Sequence, residues 1–202
     1  MFEPPAIPPL DEDAGAAARA RQASLTKPPG SLGRLEDLAV RLAAIRGEPV
    51  PRLERKVAVI AAADHGVAAQ AVSAYPQDVT AQMVANFVRG GAAVNQLAAR
   101  ANAEVLVVDA GVRTPVAARG VLVRRAGPGT ADFTQGPAMS RQIAETLLSQ
   151  GMDVARELGA DAVVLGEMGI GNTTAAAALT ATFLGLAPAS VTGRGTGVDD
   201  AG

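Results

Sequence analysis

The sequence predicts an α/β fold: a mostly parallel sheet with covering helices, preceded by a small N-terminal helical part. Three observations carry that expectation. Apolar runs recur at residues 57–63, 104–109 and 162–165, the continuous kind expected of strands buried on both faces of a parallel sheet. Helical runs of ten residues or more alternate with them, as strand–helix–strand units require. Each apolar run ends in polar residues or glycine, which is how ligand-facing strand ends read in open α/β sheets.

Taken in order, residues 1–10 are proline-rich and extended. Asp11-Glu12-Asp13 opens a helical run to about Ser24, with acids at the end where the helix dipole favours them. A turn-rich connector, Thr26-Lys27-Pro28-Pro29-Gly30-Ser31-Leu32-Gly33, precedes a second helix, with Ser31 as its expected cap. Leu35, Leu38, Leu42 and Ile45 give that helix an apolar face, and Gly47 ends it. Both helices precede any strand. Residues 1–50 therefore read as the N-terminal helical part of a small domain, and residues 51–202 as an α/β nucleotide-binding domain.

The first strand runs from Val57 to Ala63 and ends in Asp64-His65-Gly66. After a loop to Tyr75, Pro76 suits a first helical position, and a helix follows over residues 77–88. Gly90-Gly91 breaks it, a helix over 92–101 follows, and the strand at 104–109 ends in Asp109. Residues 121–124 read as a short strand, Gly127-Pro128-Gly129-Thr130 as a turn, and 140–158 as a long helix with Ile143, Leu147, Val154 and Leu158 inward. The third apolar run, 162–165, feeds the loop Gly166-Glu167-Met168-Gly169-Ile170-Gly171-Asn172-Thr173-Thr174, and an alanine-rich helix over 175–184 leaves it. After a short strand or turn comes Thr192-Gly193-Arg194-Gly195-Thr196-Gly197-Val198-Asp199-Asp200-Ala201-Gly202, loop-like and with no closing element, which reads as the end of a fragment.

Composition narrows the chemistry. Among 202 residues, 2% are aromatic and the net charge is −2, so no basic surface with stacking aromatics points to nucleic acid. There is no cysteine for a disulfide, a thiolate nucleophile or a thiolate metal site, and one histidine, His65, excludes a multi-histidine zinc site. The N-terminus lacks the basic and apolar regions of a signal peptide. The longest apolar stretch is too short and too alanine-rich to span a bilayer. A soluble cytoplasmic protein is expected.

Strand, glycine loop and helix is the layout that aims orphan backbone N–H groups and a helix dipole at an anion. Residues 166–173 fit the spacing G-x-x-x-x-G-K-[ST], except that Asn172 replaces the lysine that reaches the β/γ-phosphates of a triphosphate. Such a loop suits one phosphate. Tight turning and helix capping by Asn172 or the threonines explain the same residues without a ligand, and the two readings are compatible. Asp64-His65-Gly66 reads equally as a satisfied strand end or as a functional one. The single tyrosine sits in Ser73-Ala74-Tyr75-Pro76-Gln77, either an ordinary loop or a platform for a planar ligand. Arg194, between Gly193 and Gly195, belongs to a flexible tail or to an anion-capturing fork. Lys27 before Pro28-Pro29 is a linker residue or a cation that reaches a neighbouring site.

Together these segments resemble the nicotinate-nucleotide:dimethylbenzimidazole phosphoribosyltransferases of cobalamin lower-ligand assembly. The resemblance rests on Lys27-Pro28-Pro29-Gly30-Ser31-Leu32-Gly33, Ala63-Asp64-His65-Gly66-Val67, Val72-Ser73-Ala74-Tyr75-Pro76-Gln77-Asp78-Val79-Thr80, Gly90-Gly91-Ala92-Ala93-Val94-Asn95 and Val108-Asp109-Ala110-Gly111-Val112. It continues through Gly166–Thr174 and Gly193–Gly197, in order from about residue 20 onward. It implies a Rossmann-like sheet domain, a small helical domain built from both chain ends, and a homodimer. The implied reaction moves the 5-phosphoribosyl group of nicotinate mononucleotide onto 5,6-dimethylbenzimidazole, giving α-ribazole 5′-phosphate and nicotinate, with no cofactor and no metal. The leaving group is a pyridinium that departs without needing a proton, so positioning, charge stabilisation and a base for the benzimidazole N–H suffice.

By the resemblance, Ser73, Tyr75 and Gln77 fall beside the benzimidazole, and Gly169, Gly171, Asn172 and Thr173 beside the phosphate. Gly193, Arg194, Gly195 and Thr196 face the nucleotide, and Asp64 and His65 count as further substrate-binding candidates. The family's principal glutamate base lies beyond position 202. Glu167 is expected to be auxiliary, and this chain alone to be inactive or nearly so. A non-catalytic nucleotide- or phosphate-binding module is the alternative. A nucleoside triphosphatase is the third reading, disfavoured by Asn172.

Overall fold

The computed structural model describes residues 2–116, 118–197 and 199; of the C-terminal glycine-rich stretch, Val198, Asp200, Ala201 and Gly202 lie outside these. The contacts divide the chain into two compact units, Glu3–Glu54 and a larger one from Arg55 onward.

The smaller unit is a pair of helices, α1 (Glu12–Ser24) and α2 (Arg34–Arg46). Asp11 caps α1 by accepting the Ala14 N–H, and its own backbone N–H donates to Ala44 O. The helices meet through small residues: Ala14, Gly15, Ala18, Ala43 and Ala44 are buried. The apolar face that the sequence gives α2 is not the one packed on α1. Leu35, Leu38 and Ile45 are exposed, because the alanine and glycine surface lets the two backbones approach closely and turns the larger side chains outward. Ser31 is not the cap of α2. Gly33 holds that position with φ +54°, and Glu36 reaches back to accept the Leu32 N–H. The same carboxylate pairs with Lys27 at 2.6 Å, which holds Glu36 below its ordinary acidity range. Lys27 thus secures its own unit. Gly47 ends α2 in the left-handed conformation, as expected.

The larger unit is a four-stranded parallel sheet in the order β3-β2-β1-β4, with β1 (Lys56–Ala63), β2 (Ala103–Gly111), β3 (Val121–Val123) and β4 (Ala162–Met168). Side chains alternate across β1. Ile60 and Ala62 join Val84, Phe87 and Val107 on the face covered by α3 (Val79–Val88) and α4 (Ala93–Arg100). Val57 and Val59 join Val108, Val154 and Leu158 under α5 (Arg141–Leu158). α6 (Asn172–Leu184) leaves β4, and the short helix α7 (Pro188–Val191) stands where a strand or turn was expected.

The chain proceeds from β1 outward to β3, then returns to the other side of β1 to lay down β4. The strand order therefore reverses between β1 and β4, and their carboxyl ends flank the crevice where such sheets take ligands. Two sequence expectations shift here. β4 does not stop at Leu165: Gly166, Glu167 and Met168 pair with Ile60, Ala61 and Ala62, so Glu167 is a strand residue. And α3 begins at Val79, with Pro76 and Gln77 in the turn before it. Among the described residues no helix is long and apolar enough to cross a membrane.

Candidate active site

The carboxyl end of β1 is fixed from all sides. Asp64 is 3% exposed; its backbone N–H donates to Gly111 O, its carbonyl accepts the Thr130 N–H, and Oδ2 accepts the Arg113 N–H at 2.6 Å. A register shift between Ala62 and Ala63 lets Ala63 pair with Gly111. Asp109, at the end of β2, turns inward to accept the N–H groups of Gly111 and Val112 and pairs with Arg125 at 3.6 Å. These two carboxylates shape the strand ends. Gly66 then passes so close to the Ala131–Asp132 peptide that no side chain fits.

His65 follows, half-buried, with its carbonyl accepting from Gln77 Nε2 at 3.1 Å. Burial pushes the imidazole below its ordinary 6.5, against the opposing pull of the Glu167 and Asp64 carboxylates. Its ring packs on the loop after β4. A Cβ on Gly169 would collide with the Ala63 carbonyl and come within 2.9 Å of His65 Nε2. Gly169 is thus demanded by close approach of two strand ends, a role legible only once β1 and β4 are known to be neighbours. The next residue is tied from α3: the Ile170 N–H donates to Oγ1 of the fully buried Thr80. Gly171 takes φ +87° and begins α6.

Two clefts adjoin at this place. One, of about 380 Å³, is lined by Ser73, Tyr75, Gly169, Gly171, Asn172 and Thr173, with Val79, Met83 and Met168 as its apolar wall and Thr196 from the C-terminal loop. The other, of about 320 Å³, is lined by Val72, Thr173, Thr174 and the loop residues Thr192, Gly193, Arg194 and Gly195. Val72 and Thr173 line both. The C-terminal loop is held over the clefts by the Ala74 N–H, which donates to Thr196 O, and by Gly197, whose lack of a side chain lets it rest against Ala74. Ser73 Oγ accepts the Tyr75 N–H, and the tyrosine ring stays half exposed.

Ten of the residues singled out from the sequence therefore line one or both clefts: Ser73, Tyr75, Gly169, Gly171, Asn172, Thr173, Gly193, Arg194, Gly195 and Thr196. Gln77, Asp64, His65 and Glu167 do not. Gln77 and Asp64 brace the loops behind, and His65 wedges against Gly169. Glu167 accepts a hydrogen bond from Asn172 Nδ2 instead of facing a cleft. Sequence reasoning missed Thr80, Val72 and the methionines Met83 and Met168. Thr80 carried a signal, a polar residue in the first turn of a helix whose neighbours at helical spacing, Val84 and Phe87, are apolar. Among the described residues, no carboxylate and no imidazole lines either cleft. The arrangement can hold a planar group against an apolar wall and a small anion at the start of α6.

Comparison with known proteins shows the chain's relatives. A phosphoribosyltransferase family model matches residues 7–202. The nicotinate-nucleotide–dimethylbenzimidazole phosphoribosyltransferase of Chloroflexus aggregans is 54% identical over 199 residues, 96% of this chain and 56% of that protein. The enzyme of the same name from Thermus thermophilus is 54% identical over 197 residues, 96% of this chain and 59% of its own length. The crystal structure of CobT from Thermus thermophilus superposes with a TM-score of 0.90 at 54% identity, over 94% of this chain and 58% of that one. The chain thus spans less than three-fifths of the length of these relatives. On the strength of the match over nearly all of its residues, the chain belongs to this phosphoribosyltransferase family.

Proposed function

We propose that this chain binds nicotinate mononucleotide and serves the transfer of its 5-phosphoribosyl group to 5,6-dimethylbenzimidazole, releasing nicotinate and forming α-ribazole 5′-phosphate. The observation that carries the reading is the meeting, in two adjoining clefts at the β1/β4 strand ends, of three segments far apart in sequence: 72–75, 168–174 and 192–196. Relatives that are 54% identical to it over 96% of its length bear the name of that reaction. In this reading the benzimidazole lies by Ser73 and Tyr75 against Val79 and Met83. The phosphate lies at Gly171, Asn172 and Thr173, and Arg194 and Thr196 close over the nucleotide. A lysine-free loop serves a monophosphate, and the pyridinium leaves without a general acid.

In this reading Glu167 is at most an auxiliary carboxylate, next to the site through its bond from Asn172 but not lining either cleft. The test is to incubate the chain with nicotinate mononucleotide and dimethylbenzimidazole and quantify α-ribazole 5′-phosphate by chromatography. Donor binding with little turnover is expected. Turnover at a rate typical of enzymes, on the order of 10 per second, would show that the residues named here suffice and overturn the auxiliary role of Glu167. The same orientation of Glu167 favours a second reading, in which the chain binds the nucleotide without processing it. Assembly as a homodimer and a cytoplasmic location belong to the same proposal and are supported by the family resemblance. A monomer in sedimentation velocity at assay concentrations would remove the first.

A further inference from the structure

Asn172 stands where a triphosphate-binding loop carries lysine, and both ends of its side-chain amide are engaged. Oδ1 accepts the backbone N–H of Thr173 at 2.8 Å, and Nδ2 donates to Glu167 Oε1. Only this orientation of the amide satisfies both neighbours, because an N–H needs an acceptor and a carboxylate needs a donor. The amide thereby joins two groups of opposite standing. Thr173 lines both clefts, whereas Glu167 lines neither. Glu167 lies on the exposed strand β4, five residues before the first turn of α6. A carboxylate released there would find the start of α6 attractive, since the helix dipole and its N–H groups favour negative charge. That is the place the phosphate occupies in the reading above.

We propose that Asn172 is a positioning residue that holds Glu167 off the phosphate half of the site, so that the protein's own carboxylate does not compete with the ligand's phosphate. The proposal rests on the nicotinate mononucleotide reading. A lysine would neutralise the anion directly. Asparagine adds no charge and acts instead on the nearest competitor, through a charge-assisted hydrogen bond. The consequence is selective: loss of the bond weakens ligands that carry the phosphate and spares those that lack it.

The test is calorimetric titration of the whole chain with nicotinate mononucleotide and with its dephosphorylated form, nicotinate riboside. Four proteins are compared: the unsubstituted chain, Asn172→Ala, Glu167→Gln and the double variant. Asn172→Ala should weaken nicotinate mononucleotide about tenfold, the scale of one hydrogen bond to a charged group, and change the riboside by less than about twofold. In the Glu167→Gln background the same substitution should cost nicotinate mononucleotide severalfold less than in the unsubstituted chain, because the competing charge is gone and only any direct contact of Asn172 with the phosphate is lost.

Asn172→Ser keeps a hydroxyl acceptor for the Thr173 N–H but does not span to Glu167, and it should behave as Asn172→Ala. Thermal melts of all variants report whether they fold. Equal losses in both backgrounds, equal losses for both ligands, or unchanged binding by Asn172→Ser would each overturn the proposal while leaving the ligand reading intact. Failure of the unsubstituted chain to bind nicotinate mononucleotide would overturn that reading and this proposal with it.

Discussion

β1 and β4 are hydrogen-bonded neighbours with similar apolar sequences, and they live in different surroundings. Val57, Val59 and Ile60 of β1 are 1%, 8% and 4% exposed, while Val163, Val164 and Leu165 of β4 are 42%, 63% and 83% exposed. β1 has a strand on each side and helices over both faces; among the described residues β4 has β1 alone beside it. The difference carries into the site that the two strand ends share. The end of β1 is fixed by burial and by backbone bonds, as the partners of Asp64 show. The end of β4 is fixed by side chains reaching in from elsewhere: Thr80 on Ile170, Asn172 on Glu167, and the His65 ring against Gly169. A rigid half thus faces a tethered half, and an apolar run by itself does not say which a strand will be.

The contrast predicts unequal costs. Ile60→Ala should destabilise the chain by about 2–5 kcal/mol, the usual range for emptying a packed core position. Leu165→Ala should cost no more than about 0.5 kcal/mol. Chemical denaturation of the two variants measures both, and similar costs would break the distinction between the strands. Next in size, Gly169→Ala forces a methyl group against the Ala63 carbonyl and the His65 ring. It should cost about 1–3 kcal/mol and abolish nucleotide binding by separating the two halves. Binding retained at native affinity would mean that the tethered half moves without consequence.

The smallest effect is one of pH. His65 is held below its ordinary 6.5 by burial, so the unfolded chain takes up the proton first. Stability is therefore full above that ordinary value and declines as pH falls through it toward the lowered folded value. The urea midpoint should fall as pH drops from neutrality through that ordinary value, and that fall should shrink in His65→Gln. An identical pH profile in the variant would show that the imidazole is not pressed against the β4 loop.

Much of this was legible in the sequence. The apolar runs placed β1 and β2, the acids from Asp11 and the terminal Gly47 marked real helix ends, and the glycine loop stood at a strand end as expected. The remainder depended on non-local packing. β4 continues through Gly166, Glu167 and Met168 because ladder hydrogen bonds to β1 need only backbone, so polar or small side chains did not end it. The apolar face of α2 does not mark its packed side, because alanines, weak in any hydropathy pattern, make the close contact. Gln77 and Glu167 share motifs with the cleft residues, but adjacency in sequence does not separate a lining side chain from one that stands behind it.

A monophosphate site at the β1/β4 strand ends is tested most directly by calorimetric titration of this chain with nicotinate mononucleotide, nicotinate riboside and ATP, each with and without Mg²⁺. Such a site should bind nicotinate mononucleotide saturably and indifferently to Mg²⁺, more strongly than the riboside by about tenfold or more, which is about 1.4 kcal/mol. Tight Mg²⁺-dependent binding of ATP, with none of the mononucleotide, would contradict it.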